Sequence, residues 1–256
     1  MLRLLTTLAF LLLLSSTALA QPTYVTKATM QAAVSGDVTV TLPAHQTNDI
    51  LLLLVNIRSN TETISVSGWT AFTGTPFTRS TVERYWLYWL RAASGSETNP
   101  LVDTDGTTAN IYAQVYVFRS AITTGDPWEV VGAAATGTAD PASCTGITTL
   151  PANSLVVVPL GYPDNNNASI TTTGTDPAAY AELYDESTTG DDGSLTMSHA
   201  ARTNAGATGT VSVDFSTAVT AGDGWGCMVL ALEPEPPPVG HGPLLGQKRN
   251  RLVRMN

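Results

Sequence analysis

From Val38 onward the chain alternates short apolar runs with stretches rich in Thr, Ser, Gly, Ala and Asn. Runs of strand length occur at 38–42 (VTVTL), 50–57 (ILLLLVNI), 84–92 (RYWLYWLRA), 111–119 (IYAQVYVFR), 154–161 (SLVVVPLG), 179–186, 194–202 (SLTMSHAAR), 210–216 and 227–233. Their β-branched and aromatic content suits strands, and the Gly, Pro, Asn and Asp between them suit turns. Many short strands and no long helical periodicity predict an all-β fold, a jelly-roll-like antiparallel β-sandwich.

One segment breaks the usual alternation. In a half-buried strand successive side chains point to opposite faces, so one face is apolar and the other polar. In 83–92 (ERYWLYWLRA), Tyr85, Leu87 and Trp89 share one face, and Trp86, Tyr88 and Leu90 share the other. Both faces therefore need cover. Leu42-Pro43-Ala44 before one apolar strand is echoed by Leu150-Pro151-Ala152 before another, and each is followed later by a strand ending in arginine, Arg91 or Arg202. The echo predicts a duplicated half-sandwich or two similar lobes, 21–135 and 150–233, with a break near 135–150.

Superposing the halves on Arg91 and Arg202 sets Tyr85, Leu87 and Trp89 against Thr196, Ser198 and Ala200, a polar face, so Tyr85 and Trp89 are expected outward. In 110–119, Ile111, Ala113, Val115 and Val117 form a core face, opposite Tyr112, Gln114, Tyr116 and Phe118. Together these place Tyr85, Trp89, Tyr112 and Tyr116 in an aromatic strip. Such a strip is either covered by the chain's own loops or second lobe, or it contacts a neighbouring protein, or it is a sugar platform.

Charge narrows the partners. Residues 21–233 hold 7 Lys and Arg against 20 Asp and Glu, a net of −13, which opposes nucleic-acid binding. Residues 1–20 have one cation (Arg3), an apolar run from Leu8 to Leu14 and small residues at Ala18 and Ala20, the layout of a signal peptide cleaved before Gln21. No later run is long enough to span a bilayer, so a secreted or cell-surface protein without an integral membrane segment is expected. The Pro-rich stretch 234–243 reads as a stiff linker, and 244–256 as a basic tail carrying Lys248, Arg249, Arg251 and Arg254.

Candidate chemistry is sparse. The three histidines are His45, His199 and His241, and no nucleophile elbow, HExxH or phosphate loop occurs. No cofactor is expected. Asp103 and Asp105, in Asp103-Thr104-Asp105-Gly106, offer oxygen ligands to Ca²⁺, but the rest of an EF-hand loop is missing and a solvated turn accounts for them. Asp185-Glu186 and Asp191-Asp192 are further acidic clusters, and Asn167-Ala168-Ser169 is a glycosylation sequon. Cys144 and Cys227 form either one disulfide or two buried thiols.

The succession LPA, Asn48-Asp49 and an apolar strand, Gly68-Trp69, an aromatic strand ending at Arg91-Ala92, and Tyr116 to Arg119 resembles phage and prophage virion structural proteins. These are minor tail, fibre or capsid-surface components with β-sandwich domains. The resemblance implies assembly through surface contacts and brings no catalytic residues. The expectation is a non-enzymatic, exported structural or adhesive protein, on the virion if phage-encoded, with a protein partner or self-assembly. The alternative is a secreted carbohydrate-binding module using Trp69 or Trp89, or a glycoside-active enzyme using two loop carboxylates.

Overall fold

The computed structural model describes residues 20–79, 83–106, 109–148, 151–162, 170–187, 193–215 and 224–236. The predicted signal peptide (except Ala20), the sequon at Asn167, Asp191-Asp192, the linker beyond residue 236 and the basic tail lie outside them. No helix among the described residues is long and apolar enough to cross a membrane. The fold is all-β and antiparallel throughout, as the strand periodicity predicts.

The first half contains β1 (Thr23–Lys27), β2 (Gln31–Ala33), β3 (Val38–Thr39), β4 (Ile50–Ile57), β5 (Thr70–Ala71), β6 (Phe77–Arg79), β7 (Glu83–Arg91), β8 (Leu101–Val102) and β9 (Ile111–Arg119). Its main sheet runs β1-β9-β4-β7-β5, with β2 on β9 and β6 on β7, while β3 and β8 pair separately. The second half contains β10 (Trp128–Val131), β11 (Ala135–Gly137), β12 (Ala142–Cys144), β13 (Leu155–Tyr162), β14 (Ile170–Thr173), β15 (Ala181–Ser187), β16 (Ser194–Ala201), β17 (Val211–Phe215), β18 (Trp225–Cys227) and β19 (Leu230–Leu232). Its main sheet runs β10-β19-β13-β16-β15, with β18 on β13 and β11 on β18, while β12, β17 and β14 form a separate sheet.

The two orders are the same path. Strands β1, β2, β3, β4, β7 and β8 correspond to β10, β11, β12, β13, β16 and β17, and β9 corresponds to β18 and β19 together. The second copy therefore begins at Trp128, not near residue 150. Its first three strands share no residue pattern with β1–β3, so an echo anchored on the two LPA motifs misses them.

Why β9 has a divided counterpart is visible at Pro159. That proline sits inside β13, a central strand, where a missing N–H normally breaks the ladder. Its carbonyl accepts from Met228 N, on the side where β18 ends and β19 has yet to begin. The absent donor thus falls at the break.

Three apolar cores separate four β layers. One fills the space between the main sheets, with Leu52, Leu87 and Tyr116 from the first and Val157, Met197 and Leu230 from the second. Another lies beyond the first sheet, closed by Val38 and Val102 of β3 and β8. The last lies beyond the second sheet, closed by Cys144, Val213 and Phe215 of the three-stranded sheet. The central strands of each main sheet are buried on both faces, which is why β4 and β13 read as nearly continuous apolar runs in an antiparallel fold.

Candidate functional site

The aromatic strip lies inside the molecule. Tyr85, Tyr112 and Tyr116 are 0%, 1% and 0% exposed, in the core between the two main sheets. Their outward placement is corrected by register. Ile50 faces Arg91 in the first half, and Leu155 faces Ala201 in the second, so the counterpart of Arg202 is Ala92, not Arg91. Both Ala92 and Arg202 donate their N–H to the carbonyl preceding the central strand, at Asp49 and Ser154. A slip of one residue moves every side chain to the opposite face. In the true register Tyr85, Leu87 and Trp89 match Leu195, Met197 and His199, which point into the same seam. Thr196 and Ser198, read as wet, are buried too, and Ser198 Oγ bonds Thr172 Oγ1 at 2.8 Å under the three-stranded sheet.

The tyrosines are seated on glycines. A methyl group at Gly161 would lie 1.9 Å from Tyr85 Cε1, and one at Gly193 would lie 2.1 Å from Tyr112 Cε2. One at Gly226 would lie 2.5 Å from Phe77 Cε2, the ring stacked on Tyr85 at 5.4 Å. The structural repeat gives this an order: Asn56 with Tyr85 and Tyr112 in the first half corresponds to Gly161 with Leu195 and Gly226 in the second. Large side chains on one sheet thus meet bare backbone on the other. The hydroxyls are satisfied within the fold. Tyr85 donates to Glu83 Oε2 at 2.8 Å, and Tyr116 donates to Gln114 Oε1 at 2.6 Å, whose amide donates to Ala28 O.

Trp89 and Trp69 keep partial exposure, but they share no platform. Trp89 packs at the rim of the inter-sheet core, and Trp69 packs against the core on the other side of the first sheet. Asp103 and Asp105 are exposed in a turn where Asp105 N donates to Asp103 Oδ1, and no cluster of three potential metal ligands occurs among the described residues. Cys144 and Cys227 are joined as a disulfide (S–S 2.03 Å), tying β12 of the outer sheet to β18.

Polar side chains outside the aromatic strip fix the loops. Arg119 grips Asp49 with two bonds of 2.7 Å, which holds the guanidinium pKa above its ordinary value. The pair lines a cleft of about 310 Å³ with Ser120, Thr123 and Glu235. His45 Nδ1 lies 2.8 Å from Pro43 O and its Nε2 accepts from Glu97 N, while Glu97 accepts from Ala93 N and Ser94 N.

His199 is different. It is half-buried against Tyr24 of β1, with ring centroids 5.8 Å apart, and its Nδ1 has no hydrogen-bond partner. Burial lowers its pKa below the ordinary 6.5. Because the folded value is the lower one, the unfolded chain takes the proton first as pH falls below about 6.5, and stability falls with it. Between pH 7.5 and 5, the wild-type melting midpoint should fall more than that of His199→Gln. Parallel profiles for the two chains would remove His199 from the account.

Comparison with family models, with curated proteins and with solved structures returned no match.

Proposed function

We propose that this chain is a non-enzymatic, exported structural or adhesive protein that acts through surface contacts, with a tail or capsid-surface role in a virion as its specific form. The observation that carries this reading is how its charged loop side chains are used. Glu97 and Arg202 bind backbone groups of their own loops, Arg91 binds the carbonyls of Ile122 and Gly125 in the loop after β9, and Asp49 accepts from Gln46 N while it holds Arg119. Arg202 also holds Asp176 at 3.0 Å. Loops fixed in this way lose little conformational entropy when a partner docks, which favours contact over chemistry. With three of the four strip residues inside, contact passes to the loops, the rim at Trp89 and the outer layers.

Fractionation tests the proposal. The full chain, produced with its own leader, should be recovered from the cell surface, from the medium or from assembled particles, and should sediment with a partner or with itself. Recovery only as a cytoplasmic monomer would contradict it. Glycan-array binding that disappears in Trp69→Ala while the melting midpoint holds would replace it with the carbohydrate-binding reading.

A further inference from the structure

The seam between the halves holds a buried amide with neither of its polar atoms partnered. Asn56 lies on β4, on the face shared with Leu52 and Leu54, and is 0% exposed. Neither its Oδ1 nor its Nδ2 has a hydrogen-bond partner in the protein. A buried amide left in that state costs on the order of 1–3 kcal/mol, and native structures rarely tolerate it.

Its neighbours show what would satisfy it. Tyr85 and Tyr112 stand directly opposite Asn56 on the two adjoining strands, and both reach across to the glycines of the second sheet. Asn56 is much shorter than either ring. Its amide therefore ends short of the second sheet, which the Tyr85 ring meets at Gly161 and Gly226. Glu83, two residues from Tyr85 on the same face, is fully buried, and Arg58 Nε stands 4.0 Å from its Oε1 at the outer end. The polar groups on this face of β4 and β7 thus include an amide donor and acceptor, a carboxylate and a phenol oxygen. An internal water needs two to four such partners and room for one probe sphere.

We propose that Asn56 binds a single internal water molecule between the two halves, with the Glu83 carboxylate and the Tyr85 hydroxyl as the flanking polar groups. The ligand is small, neutral and able both to donate and to accept, matching an amide that offers both. The structural repeat places Gly161 at the equivalent position of the second half, which therefore offers no matching amide. The water lets the amide remain buried in the seam.

A crystal structure of the full chain at a resolution that shows ordered water, together with the melting midpoint of Asn56→Leu, tests this. The wild type should show a density peak about 2.7–3.2 Å from Asn56 Oδ1 or Nδ2. The leucine, similar in volume, should expel the water and lower the midpoint by about 2–4 °C, the usual shift for one lost interaction in a chain of this size. Protein atoms closing directly on Asn56, or a leucine variant as stable as the wild type or more so, would overturn the proposal. If the leucine variant does not fold, the wild-type density alone decides.

Discussion

Gly161→Ala should destabilise the fold by about 3 kcal/mol or more, at the upper end of what overpacking a core costs. The added methyl would come 1.9 Å from Tyr85 Cε1 and 2.4 Å from Cδ1. Gly161 lies in regular strand pairing with Leu195 and Gly226, so the clash is the whole effect. The ring has nowhere to retreat. Phe77 stacks on it, a methyl at Gly226 would already lie 2.9 Å from its Cδ2, and its hydroxyl is tied to Glu83. Denaturant unfolding measures the loss. Tyr85→Ala alone should also be costly, about 3–5 kcal/mol for an emptied aromatic site. In the double variant Gly161→Ala/Tyr85→Ala the methyl meets no ring, so the two losses should fall short of additive by about 1–3 kcal/mol. Additive losses would mean that the two residues do not touch.

Replacing both cysteines by alanine should remove about 4–5 kcal/mol, the loop-closure value for a cross-link between residues 83 apart in sequence. The effect should be local as well as global. The disulfide holds β12 to β18, and β12 is an edge of the three-stranded sheet that covers the outer core of the second half. Hydrogen exchange in the Cys144→Ala/Cys227→Ala chain should therefore accelerate first in β12, β14 and β17, with β4 and β9 still protected. Uniform acceleration across both halves would instead make the disulfide a clamp on the whole body.

The physical limits of sequence reading are visible in particular residues. The strands at 50–57, 84–92 and 111–119 were legible because apolar runs of that length, bounded by turn residues, have few other structures open to them. The LPA echo pointed to two similar halves, and the two main sheets share a strand order, but the echo gave no sign of β10–β12, which resemble β1–β3 only in position. The candidate site suffered from a subtler ambiguity. Arg91 and Arg202 look equivalent, yet they differ by one place in register, and in a strand one place decides inside from outside. A correct offset would have set Tyr85 against Leu195 and so inside the seam. The covering surface left a signal as well: Gly161, Gly193 and Gly226 fall within or beside strand runs, where glycine often marks a close approach by another chain segment. Nothing in the sequence says which segment approaches.

The seam is the claim on which the rest stands, and hydroxyl-radical footprinting of the native chain tests it most directly. Tyr85, Tyr112 and Tyr116 should stay unmodified until the protein unfolds, while Trp69 and Trp89 take partial label under the same dose. Ready labelling of the three tyrosines in the folded protein would contradict the account and return the aromatic strip to the surface.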